Sequence, residues 1–116
     1  MNYVDFSAGN KEYKLRLNTR SIVDLEKKLG CNPVGIFGDG DTVPTVTVMV
    51  TIFHASLQQL NHGITLNDAF DIFDEWIMEG HSTVDFVKTI LDIYKASGIV
   101  PNNVDTQEEV SDYEKN

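Results

Sequence analysis

Two periods of apolar spacing alternate along the chain, one of about two residues and one of three to four, and the changes between them divide it into elements. The stretch Pro44 to Leu60, PTVTVMVTIFHASLQQL, is the richest in apolar residues and has no glycine to break it. Val46, Met49, Val50, Phe53, Leu57 and Leu60 fall on one face of a helix, and Val48, Ile52 and Ala55 form a second strip. Thr47, Thr51, His54 and Gln58 are left as its polar stripe. A helix apolar on two sides must be covered on two sides, which makes this the expected centre of the domain. Residues 45–53 also fit a strand, because the β-branched Val46, Val48, Val50 and Ile52 alternate with threonine or methionine. Length decides for a helix over 44–61, since the register continues through Ala55 to Leu60, far beyond the roughly 5–6 residues of an ordinary strand.

Tyr3–Ser7 and Tyr13–Leu17 alternate around Ala8-Gly9-Asn10-Lys11 and predict a β-hairpin, with Tyr13, Leu15 and Leu17 inward and Lys14 and Arg16 outward. A lone hairpin is marginal in water, so it must pack on helices or pair its open edge with another chain; the latter implies weak self-association. Asn18 or Thr19 can cap a helix over 19–29 with Ile22, Leu25 and Leu29 buried and Gly30 as its stop. Arg20–Asp24 and Asp24–Lys28 are spaced as ion pairs on its wet side. Cys31-Asn32-Pro33 then turns the chain into a short apolar piece, Val34–Phe37, and a glycine-rich loop.

Thr65 with Asp68 predicts a capping box for a helix over 66–79. Leu66, Ala69, Phe70, Phe73, Trp76 and Ile77 give it a wide apolar face, opposite Asp68, Asp71, Asp74, Glu75 and Glu79. Ser82 with Asp85 opens a last helix over 83–97, with one strip of Val84, Val87, Leu91 and Tyr94 and another of Phe86, Ile90 and Ile93. The expected fold is mainly α with a small N-terminal β-hairpin (α+β): a compact bundle of about four helices in a single globular domain, residues 1–100. Residues 101–116 hold five acids and one lysine with few apolar anchors, and are expected to be a disordered acidic tail.

Charge narrows the function classes. The net charge of −9 is uneven: residues 1–28 carry six bases and four acids (+2), and residues 29–116 carry three bases and fourteen acids (−11). Phosphate backbones and anionic membranes call for a basic surface, so neither nucleic acid nor a membrane is an expected partner. No apolar run approaches the ~18 residues of a membrane span, nothing at the N-terminus directs export, and one cysteine makes no internal disulfide; a cytoplasmic location is expected.

No catalytic, cofactor-binding or metal-binding residue emerges. His54, His62 and His81 lack metal-ligand spacing, and Asp39-Gly40-Asp41 lacks the later ligands of a calcium loop. Asp71 and Glu75 sit one turn apart, on what reads as a solvated acidic face. Cys31 has no base near it in sequence and reads as a small buried thiol. The candidate partner-binding residues are Trp76, Phe73, Ile99 and Val100, with core packing the competing reading of Trp76.

Three runs carry a likeness: Leu25-Glu26-Lys27-Lys28-Leu29-Gly30-Cys31-Asn32-Pro33, then Ile52 through Gly63 (IFHASLQQLNHG), then Asp74-Glu75-Trp76 with Glu79-Gly80. In this order they resemble the tail assembly chaperones of long-tailed bacteriophages, or prophages, of Gram-positive hosts, over about residues 12–100. The resemblance implies a small, mostly helical, non-enzymatic protein of the host cytoplasm that is absent from the finished virion. It further implies a role in binding the tape measure protein, keeping it soluble and recruiting tail tube subunits. Such proteins have no sharply defined functional residues to carry over, and the acidic end after Val100 has no counterpart in the resembled pattern. Another class of function, an acidic host-directed inhibitor or adaptor acting by protein binding, fits the charge as well. An apolar helix surface wider than a domain of this size covers, above all on the central and last helices, is the expected seat of partner binding.

Overall fold

Gly9 and Asn10 both have positive φ, 58° and 66°, the backbone of a two-residue turn whose twist matches that of the strands it joins. A computed structural model describes residues 2–38, 40 and 42–102 of the chain. In it the turn joins β1 (Val4–Ala8) to β2 (Lys11–Leu15), antiparallel, with Phe6 opposite Tyr13 and Val4 opposite Leu15. The strands run closer to the turn than the alternation predicts, because two residues suffice to close it. Leu15 and Leu17 are buried as expected; Tyr13 is only half-buried, and Phe6 and Ala8 supply the rest of the inward face. Gly9 is required twice over: its φ is left-handed, and the Glu75 carboxylate lies where a Cβ would project.

Helix α1 (Thr19–Leu29) starts where the Asn18 side chain accepts from the Ser21 N–H, and it stops at Gly30, whose φ of 72° forms a left-handed cap. A 3-10 turn, Pro33–Phe37, follows. Helix α2 (Val46–Leu57) is capped by Thr45; α3 (Leu66–Met78) carries the full Thr65/Asp68 capping box; α4 (Phe86–Ala96) completes the fold. Ser82 and Asp85 exchange the predicted reciprocal bonds, yet the backbone through Thr83–Asp85 closes in three-residue steps and the α-helix proper begins at Phe86.

α2 packs against α1, α3, α4 and β2, so the apolar run is the centre of the domain. Met49, Val50, Ile52, Phe53 and Leu57 are buried on both of its predicted strips. The helix ends three or four residues before the expected boundary: Ser56 O is taken by Arg16 N–H (2.9 Å), and Gln58 N–H falls back to Ala55 O (3.4 Å) while its Nε2 donates to His54 O (2.9 Å). Leu57 O still accepts from Asn61 N–H (3.2 Å) and from Asn61 Nδ2 (3.0 Å). Val46, predicted to be inward, is exposed at the first turn.

One aromatic cluster ties four elements together. Phe6 of β1 meets Phe53 of α2 edge-on at 4.9 Å, Phe53 meets Phe86 of α4 at 5.5 Å, and Phe86 meets Phe73 of α3 at 5.0 Å. Tyr94 is fully buried beneath the 3-10 turn and donates its hydroxyl hydrogen to Pro33 O at 2.9 Å. Burial, with a smaller contribution from Cys31, pushes the Tyr94 phenol well above its ordinary range.

Several expectations are corrected. Cys31 is exposed rather than a buried thiol, since the chain there turns outward between α1 and the 3-10 turn. Arg20, Asp24 and Lys28 do not pair; among the described residues the ion pair is Lys88–Asp92, at 3.2 Å. The buried face of α3 is centred on Ala69, Ile72, Phe73 and Trp76, so Leu66 and Phe70 lie off it and are exposed. Pro101 and Asn102 are described; the expectation of disorder for the rest of the tail, and the Asp39 and Asp41 positions, lie outside the described residues.

Candidate partner-binding surface

Phe73 and Trp76, the aromatic candidates, belong to the core. Their rings sit 5.9 Å apart and both pack on Phe86. The little of Trp76 left uncovered by the core faces His81, which stacks on the indole at 4.2 Å, almost parallel. Ile99 and Val100, the other candidates, are half-buried just past α4 and line a surface groove. The structure therefore divides the four predicted residues between two places.

The expectation of uncovered apolar faces on α2 and α4 holds only in part: Val46 at the first turn of α2 is exposed, and of the α4 strip Val84, Val87, Leu91 and Tyr94 only Tyr94 is fully buried. α2 is covered by four neighbouring elements, and Phe86, Ile90, Ile93 and Tyr94 of α4 are buried. Exposed apolar side chains also gather on and after α3: Leu66 (44%) and Phe70 (43%) on the helix, Met78 (81%) at its end, and Val84 (58%) before α4. At about 100° per residue, Leu66, Phe70 and the half-buried Ile77 fall within about 40° of one another on the helical wheel. They form a shoulder beside the buried face of α3. Periodicity alone had grouped all of them with the core, because it cannot say how far round a helix the neighbours reach.

α3 also presents carboxylates to the hairpin. Gly9 N–H donates to Glu79 Oε2 at 3.2 Å, and the Glu75 carboxylate packs on the same turn. Burial raises the Tyr13 phenol, and Glu75 and Asp68 raise it further. The acids that read as a wholly solvated face thus partly hold the hairpin turn in place.

The edge of β2 is closed from within the chain. Asn61 accepts from Lys14 N–H through Oδ1 (3.2 Å) and donates through Nδ2 to Lys14 O (2.6 Å), as a paired strand does. Arg16 N–H is held by Ser56 O and Leu17 N–H by Ser97 Oγ, both at 2.9 Å. Since Lys14 faces Asp5 in register, the backbone groups of Asp5 point the other way, to the outer side of β1. Among the described residues no hydrogen bond from another element reaches Asp5 or Ser7, so the open edge is that of β1.

The groove beyond α4 encloses about 540 Å³ and is lined by Arg16, Lys95, Ser97, Ile99, Val100 and Asn102, among others. A second concavity of about 400 Å³, sharing Lys95 and Asn102, extends it towards Tyr3 and Val4 at the start of β1. Arg16 Nη1 donates to Gln59 Oε1 at 3.0 Å, while its Nε is buried with no partner among the described residues. Nothing in the linear sequence signals this groove, because Arg16 and Lys95 lie in different elements and meet only through the hairpin's packing.

Among the described residues no three histidine, cysteine, aspartate or glutamate side chains gather as metal ligands, and no helix is long and apolar enough to cross a membrane. No curated protein and no solved structure matches the chain. A family profile matches residues 4–111, from the first strand to beyond the last helix, and the chain therefore belongs to DUF6096, a family of unknown function.

Proposed function

We propose that this protein is a non-catalytic assembly chaperone of a bacteriophage or prophage tail, which binds the long apolar helical tape measure protein, keeps it soluble and helps recruit tail tube subunits. The observation that carries the reading is the Leu66–Phe70–Ile77 shoulder, an apolar strip on α3 with Asp74 and Asp71 on its outer flank. Such a strip suits an amphipathic helix laid along it, with apolar anchors giving affinity and the acidic flank giving solubility. The resemblance read from the sequence supplies the identity of the partner. Tail tube subunits are a second partner on the same ground, and cytoplasmic action in the host follows from it.

A long coiled-coil-rich reading frame directly downstream is the expected partner gene, and co-expression with its product tests the reading. The expected result is that the long protein becomes soluble and co-purifies, and that Leu66→Asp with Phe70→Asp abolishes both while the purified variant stays folded. Because the contact is apolar, the complex should weaken little as salt rises, whereas an acidic inhibitor that mimics nucleic acid would release its target steeply. A long protein equally soluble with and without this chain, and never co-purifying, ends the chaperone reading.

A further inference from the structure

We propose that the groove at the end of α4 is the seat of the chain's own acidic segment 103–111, whose carboxylates meet Arg16 and Lys95. Four observations converge on this occupant.

The chain leads into the groove, since Pro101 and Asn102 are among its lining residues. The family profile does not stop at the end of the described fold but runs on to residue 111, which makes this segment part of the family's pattern. The segment has the complementary charge: Asp105, Glu108 and Glu109 with no base. Finally, the groove holds cationic groups that lack partners. Arg16 Nε is buried and unbonded, and Lys95 makes no ion pair among the described residues. The nearby acid Asp92 is already engaged by Lys88.

The helix end itself does not oppose an anion. Three of its last four carbonyls are occupied, with Tyr94 O accepting from Ile99 N–H (2.9 Å), Ile93 O from Ser97 N–H (2.9 Å) and Lys95 O from Gly98 N–H (3.2 Å). Asp105 is three residues beyond Asn102, a reach of about 10 Å, and Glu108 and Glu109 extend it to about 20 Å. A tether this short gives the carboxylates a high effective concentration at the groove, so weak, screened ion pairs suffice to hold them. The groove then acts as a site for acidic peptide, filled by the chain itself.

The test uses the full-length chain with Cys31→Ser and a nitroxide placed on Gln107→Cys. The backbone amides of Arg16, Ser97 and Gly98 should lose most of their NMR intensity at low salt and recover it at about 0.5 M salt. Arg16→Gln with Lys95→Gln should restore the intensity. Because Arg16 also holds Gln59, a second variant, Asp105→Asn with Glu108→Gln and Glu109→Gln, removes the charge outside the folded core and should restore it equally. Full intensity in the labelled chain overturns the proposal, as does broadening that survives both sets of charge removal. Broadening that appears only between molecules, in a mixture of labelled chain and isotopically labelled unspun chain, assigns the groove to a second copy and overturns it as well.

Discussion

Replacing Asn61 by alanine removes three hydrogen bonds at once: from Lys14 N–H, to Lys14 O and to Leu57 O. Each bond contributes about 0.5–1.5 kcal/mol net, and Lys14 is exposed so that water replaces part of the loss; a total near 2 kcal/mol is expected. In a domain of this size that corresponds to a drop of about 10 °C in Tm. Asn61→Asp is the sharper probe, because it keeps the acceptor and the shape but turns both donating contacts into a carboxylate facing two carbonyl oxygens. It should destabilise at least as much as alanine. Urea unfolding gives the stability, and hydrogen exchange at the Lys14 amide reports the clamp directly, with protection falling in both variants. The opened β2 edge should also promote self-association, visible by light scattering over a concentration series. If both variants unfold at the wild-type midpoint with Lys14 still protected, Asn61 does not hold the strand and the account of a closed β2 edge is wrong.

Phe53→Ala, at the middle of the aromatic cluster and fully buried, should lose about 3–5 kcal/mol in the same unfolding assay; a loss below about 1 kcal/mol would contradict the burial. Tyr94→Phe leaves Pro33 O buried without its donor and should cost about 1–3 kcal/mol, with an unchanged near-ultraviolet circular dichroism spectrum outside the tyrosine bands. His54 titrates below its ordinary 6.5 because burial, and then Lys28, disfavour the imidazolium; the unfolded chain takes up the proton first, so stability should fall as pH drops through 6.5 and level off below the folded value. His54→Gln should remove that step in urea midpoints measured from about pH 8 to about pH 5. Asp68 and Asp85 are held below their ordinary 3.8 by hydrogen bonds from Thr65 and Ser82; the stability they add is present above 3.8 and should be lost as pH falls through their folded values, a second step that Asp68→Asn with Asp85→Asn abolishes.

Local signals were legible where they depend on a few neighbouring residues. Asn18, Thr65 with Asp68, and Gly30 announce helix ends in the sequence because capping is a three- or four-residue affair, and the structure places each of those ends within a residue. The central helix was legible through two apolar strips that other elements cover. Its early end was not, because the competitor for the Ser56 carbonyl is Arg16, forty residues earlier in the chain. The same limit explains the candidate site. Phe70 and Phe73 share a helix and an apolar character, and only the reach of neighbouring elements decides that Phe73 is core and Phe70 is surface. Arg16 read as an outward strand residue; half-buried in a groove with Lys95, it is a product of tertiary packing that no spacing rule expresses.

The residues that carry the likeness to tail chaperones have structural tasks in this fold. Gly30 caps α1, Pro33 receives the Tyr94 hydroxyl, Asn61 clamps β2, Glu75 and Glu79 hold the Gly9 turn, and Trp76 fills the core. A pattern made of such residues specifies how the chain folds more than what it binds. On the proposed reading, partner choice rests on residues the fold does not consume, and the exposed pair Leu66 and Phe70 meets that condition. The two proposals make separable demands: an apolar helix on the α3 shoulder, insensitive to salt, and the chain's own acidic segment in the groove, sensitive to it. A single partner that used both surfaces would lose part of its affinity on Leu66→Asp and only the salt-dependent part on Lys95→Gln. Measuring both variants across a salt series therefore assigns each increment of binding to its surface.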